Sequence, residues 1–76
     1  MRKYFFDLVG QDHCQYDYRG RLLPAVEKAC QLAELIAMDL EMRGEGEWTG
    51  WSVNVRSEQG QQLFAIPVRY PELAAA

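Results

Sequence analysis

Residues 24–43, PAVEKACQLAELIAMDLEMR, decide the fold. After Pro24 no Gly or Pro interrupts them, and Ala, Leu, Glu and Met are among the best helix formers. At about 100° per residue, Val26, Ala29, Cys30, Ala33, Ile36, Ala37 and Leu40 fall in one stripe. Small residues dominate that stripe, which predicts a helix lying close against a sheet. Pro24 suits the first helical position, where its missing N–H costs nothing. Gly44 is placed as the C-cap, just after Arg43, a cation that suits the helix end.

The other side of this helix is not uniformly polar. Glu27, Gln31, Glu34 and Glu41 form a solvated side. Leu35, Met38 and Met42 recur at i, i+3 and i+7, roughly opposite the core stripe, as a second apolar patch. Aligned apolar residues, two of them Met, have the character of a partner surface. Trp48 stands just beyond the helix and is expected to extend the patch, since Trp is a common interface anchor. The competing reading is that the connection 44–50 or the C-terminal tail folds over these residues.

Strands flank the helix on both sides. Residues 3–9, KYFFDLV, are short and aromatic, and Gly10-Gln11-Asp12 punctuates them. His13 to Tyr18 is predicted to return as a second strand, followed by an Asp17-x-x-Gly20 turn. Downstream, Trp51, Val53 and Val55 alternate with Ser52, Asn54 and Arg56, the pattern of a half-buried strand. Ser57 to Gly60 fits a hairpin turn, and Gln62 to Val68 returns, with Pro67 marking an edge or an exit. Pro71 stops the strand. The expectation is an α+β fold of order β-β-α-β-β: an antiparallel sheet of two hairpins with one long helix packed on one face. Residues 1–70 form a single domain with strand 1 in the interior, and 71–76 form a flexible tail.

Size and charge narrow the function classes. The chain has 76 residues and a net charge of -3, which opposes general polyanion binding. The strictly apolar run Leu35 to Met38 falls far short of the roughly 20 residues that span a bilayer. No apolar stretch after Arg2 and Lys3 reads as a signal peptide, so a cytoplasmic location and no membrane partner are expected. Nine aromatics are more than one helix on one sheet can readily bury, which leaves some for a partner.

Reactive side chains are sparse. Asp12-His13-Cys14 is the one cluster of reactive types, and even with Cys30 it lacks the ligand spacing of a metal cage. Neighbours on a strand point to opposite faces, which separates His13 from Cys14. Cys30 lies in the core stripe and reads as a buried, inert thiol. Gly44-x-Gly46 follows a helix rather than opening one, unlike a phosphate loop. No catalytic residue, cofactor or metal is therefore expected. Phe5 alternates with Tyr4 and Phe6, so an aromatic faces away from the core, with Arg56 and Arg69 on strands nearby. That is the basis of an alternative reading as a nucleic-acid-binding or regulatory module using the open sheet face. The acidic balance makes nucleic acid the less favoured partner.

Several features follow one order. They are Tyr4-Phe5-Phe6-Asp7, then Asp17-x-x-Gly20 with Leu22 and Leu23, then the Ala-spaced helix. Trp51-x-Val53-x-Val55 and Gly60 ahead of Ile66-Pro67 complete it. Over residues 3–68 the chain resembles a family of small proteins of unknown function, abundant in alphaproteobacteria such as the rhizobia. It departs at Gln11 to Gln15, where that family has a more acidic, glycine-containing loop, and at Cys14 and Cys30. The resemblance implies a compact bacterial cytoplasmic domain and transfers no catalytic residue. The function expected is a non-enzymatic interaction or oligomerisation module. Its partner is a second copy, in a dimer that dissociates on dilution, or another protein, docking on Leu35, Met38, Met42 and Trp48.

Overall fold

The computed structural model describes residues 1–43 and 45–69. Five strands and one helix follow in the order β1 (Arg2–Val9), β2 (Cys14–Gln15), β3 (Arg21–Leu23), α1 (Val26–Met42), β4 (Ser52–Ser57) and β5 (Gln62–Pro67). All strand pairs are antiparallel, in the order β2-β1-β4-β5 with β3 also on β1. This is the expected α+β arrangement, with the helix on one face and β1 in the interior. The expected C-cap Gly44 and the expected tail 71–76 lie outside the described residues.

The sheet owes its helix-facing side to period-two alternation. Tyr4, Phe6, Val53 and Val55 are buried and meet Ala29, Ala33, Ala37 and Leu40 of α1. Phe6 pairs with Val55 and Leu8 with Val53, so the apolar side chains of β1 and β4 sit opposite one another. The alanines recur at i, i+4 and i+8, and their single methyl groups let the helix backbone approach the aromatic strand. In β5 the register skips one residue, with Val55 opposite Phe64 but Arg56 opposite Gln62. Leu63 is the extra residue of this bulge, so both Leu63 and Phe64 pack against the core.

The first hairpin differs from the expected one. Instead of a strand from His13 to Tyr18, only Cys14 and Gln15 pair, opposite Val9 and Leu8. The chain leaves β1 at Tyr16 and rejoins it at Arg21 to Leu23, opposite Tyr4 to Arg2. Two short segments thus act as one interrupted edge strand. The cause is Asp17, whose Oδ1 accepts the N–H groups of Arg19 and Gly20 and folds the backbone into a tight turn. Gly20 has φ 72, and a Cβ there would lie 2.7 Å from Lys3 Cγ. Both the backbone angle and the close approach require glycine. At the other end of β1, a Cβ on Gly10 would lie 2.6 Å from the Trp51 indole, so Gly10 lets that ring lie across the hairpin.

Pro24 is not the first helical residue. Ala25 is extended and serves as the N-cap, with no side-chain hydrogen bond, and the helix starts at Val26. The last strand also stops earlier than expected, so Arg69 is exposed and lies beyond β5. Val68 nevertheless stays buried, and its N–H donates to the Trp51 carbonyl at 2.8 Å. No helix among the described residues is long and apolar enough to cross a membrane.

Candidate functional site

The outer face of α1 carries the sequence-derived site. Leu35 is 61% exposed, Met38 54% and Met42 82%, while Ala33, Ala37 and Leu40 beneath them are buried. The same 3.6-residue period produces both faces. The described part of the following connection, residues 45–50, leaves the stripe open. Trp48 goes elsewhere. It is partly buried, packs against the core, and meets Trp51 edge-on with ring centroids 4.8 Å apart. The expected extension of the patch by Trp48 is therefore replaced by a core anchor at the end of the sheet.

Cys30 is half-buried rather than enclosed, at the border of the stripe, with its thiol 3.8 Å from Glu34 Oε1. Partial burial, with the Glu34 charge beside it, raises its pKa above the ordinary thiol value. That favours the protonated form of the thiol. Leu32, outside the predicted stripe, packs partly buried against the core.

A second cluster lies on the open sheet face. Asp7 is 5% exposed, in the middle of the interior strand. Arg56, on the adjacent strand β4, reaches it with Nε at 3.0 Å from Oδ2 and Nη2 at 3.3 Å from Oδ1. The Asp17 N–H donates to Asp7 Oδ1 at 2.9 Å, and Arg56 Nη2 donates to the Asp17 carbonyl at 3.2 Å. Asp17 Oδ2 in turn accepts the Phe6 N–H at 3.1 Å, opposite the gap between β2 and β3. Asp17 thus substitutes for the missing stretch of edge strand, and Asp7 and Arg56 hold it there. The Arg56 guanidinium also covers Phe5, with Cζ 4.6 Å from the ring centroid.

These contacts set the charges. Burial alone would raise the Asp17 pKa, but the Gly20, Phe6 and Arg19 N–H groups and the Arg56 charge outweigh it and hold it below the usual carboxylate value. The hydrogen bond to Asp7 leads the causes that raise Arg56. Tyr16 is raised above the ordinary phenol value, chiefly by its hydrogen bond with Cys14. Cys14, Tyr16, Asn54 and Gln62 surround the pair in a shallow depression of about 330 Å³. His13 stands apart, 5.8 Å from the Trp51 ring. Among the described residues no three His, Cys, Asp or Glu side chains come together as metal ligands, and every buried side-chain polar atom has a partner.

Asp17 and Arg56 were visible in the sequence as a turn residue and a polar strand position. Their convergence on Asp7 depends on strand register, which the sequence pattern does not display. The available signal was Asp7 itself, a carboxylate between Phe6 and Leu8 in the aromatic and aliphatic run from Tyr4 to Val9, which needs a charged partner once buried.

No curated protein and no solved structure matches the chain. The family model described as Domain of unknown function (DUF6894) covers residues 3–69, nearly the span over which the sequence resembles a family of small proteins of unknown function. The chain therefore belongs to the DUF6894 family.

Proposed function

We propose that this domain is a non-enzymatic protein-interaction module that docks through the outer stripe of α1, in the cytoplasm of a bacterium. One observation carries the reading: Leu35, Met38 and Met42 stand exposed in a row over a core that Ala29, Ala33, Ala37 and Leu40 already close. Covering such residues removes apolar surface from water, worth about 25 cal/mol per Å² before association costs. A non-enzymatic role is supported by the open face, where Asp7, Asp17 and Arg56 are spent on one another. The occupant of the stripe is a second copy or another protein.

Exposed Tyr16 and Tyr18 favour a second reading, in which single-stranded nucleic acid stacks on the open face. It is weaker, because Arg56 is already paired with Asp7 and lies over Phe5. Submicromolar RNA binding at physiological salt, lost on replacing Tyr16 and Tyr18, would favour it over the helix stripe.

The test of the favoured reading is Met38→Glu, alone and with Leu35→Glu, followed by light scattering and thermal melts. The expected variant is folded and melts near the wild-type temperature but no longer associates. Unfolding would place the stripe in the core. Unchanged association and melting would make it idle surface.

A further inference from the structure

We infer that the occupant of the α1 stripe is an amphipathic segment of a different protein that carries Lys and Arg beside its apolar residues. This rests on the stripe being the docking face and names the chemistry of what docks there. Counting about 100° per residue from Leu35, Glu27, Glu34 and Glu41 line one flank of the stripe, roughly 10 Å apart along the axis. Glu27 and Glu34 are exposed, while Glu41 is half-buried and its Oε1 accepts the Arg69 N–H at 3.1 Å. Lys28, Asp39 and Arg43 lie on the other flank, where Arg43 is paired with Asp39 at 2.8 Å.

That asymmetry works against a second copy. A two-fold axis across the helix makes the partner helix antiparallel and keeps each flank beside its own equivalent. The Glu27–Glu34–Glu41 row would then face itself. An axis along the helix makes the pair parallel and turns the Glu34 flank toward the flank that holds Asp39. The antiparallel geometry brings carboxylates together around an apolar seam, where water is scarce and like charges are costly, and the parallel one sets only Lys28 against the Glu row, because Arg43 is paired with Asp39. A basic flank on the partner turns the same row into attraction. The two Met side chains adapt to whatever apolar residues lie between.

Two synthetic amphipathic peptides with identical Leu positions, one flanked by Lys and one by Glu, test this against the full chain. Calorimetry at low and high salt reads the affinity, and sedimentation reads self-association. The Lys peptide should bind at least about tenfold more tightly than the Glu peptide, and added salt should shrink the difference. Glu27→Lys with Glu34→Lys should reverse the preference. Met38→Glu should weaken Lys-peptide binding, with Leu35→Ser as a milder substitute and circular dichroism confirming the fold. Equal binding of both peptides, lost in Met38→Glu, would keep the docking face and overturn the basic partner. So would a dimer that Met38→Glu dissolves and neither peptide displaces. Absence of both peptide binding and self-association would overturn the docking face as well.

Discussion

Replacing Arg56 with Ala leaves the Asp7 carboxylate with the Asp17 N–H as its remaining neighbour in the cluster. Asp7 stays buried, so its charge loses a counterion that water replaces poorly. Half of the pair's environment is softer, since the Arg56 side chain is 29% exposed. The expected loss is about 2–3 kcal/mol, below the full cost of breaking a buried pair. Urea unfolding of Arg56→Ala checks it, and a loss under about 0.5 kcal/mol, typical of surface changes, would reduce the cluster to decoration. Acid should attack the same place. Asp17 has a depressed pKa when folded, so its contribution is complete above the unfolded value of about 3.9 and is lost as pH falls through the folded value. Stability should therefore fall below about pH 4, and less steeply in Asp17→Ala, as urea midpoints across pH would record. At this scale much was unreadable in advance. A single Asp in an aromatic and aliphatic run announces a buried partner but does not say which of the chain's cations supplies it, because only strand register brings Arg56 beside Asp7.

The helix is well patterned but poorly started. Ala25 has the extended backbone of an N-cap, and its carbonyl accepts the Lys28 N–H at 3.1 Å, but it has no side-chain oxygen for the other free N–H groups of the first turn. Ala25→Asp should add about 1 kcal/mol, read as a higher urea midpoint with an unchanged slope. Its packing face has the opposite character, with no room to improve. Ala33 is fully buried against the sheet, so Ala33→Leu should cost about 1–3 kcal/mol by overpacking. For a domain of this size each kcal/mol lowers the melting temperature by roughly 4–8 °C. An unchanged melt would mean that α1 sits farther from β1 and β4 than its alanines imply. Elements whose residues repeat over several periods were legible: α1, β1 and the hairpin of β4 and β5. Segments of two and three residues, β2 and β3, were not, because alternation needs more length than they have. Their placement comes from the Asp17 turn. Trp48 was misplaced for a related reason, since no periodicity constrains a loop residue and the ring it meets, Trp51, belongs to a strand.

As a whole the molecule has one sealed interface and two outer surfaces of different kinds. The open sheet face is polar and internally satisfied around Asp7, Asp17 and Arg56. The outer helix face is apolar along Leu35, Met38 and Met42 and acidic along one flank. The central claim is that contact with other molecules runs through the helix face. Methionine methyl signals, together with backbone amide signals, report this directly, because Met38 and Met42 lie in the stripe while Met1 lies at the chain start. The spectra would be followed over a concentration series and during titration with the Lys-flanked peptide. The account predicts that Met38, Met42 and Leu35 shift together, with Met1 and the amides around Asp7, Tyr16 and Arg56 unmoved. Shifts confined to Tyr16, Tyr18 and Arg56, with the Met38 and Met42 methyls unchanged, would contradict it.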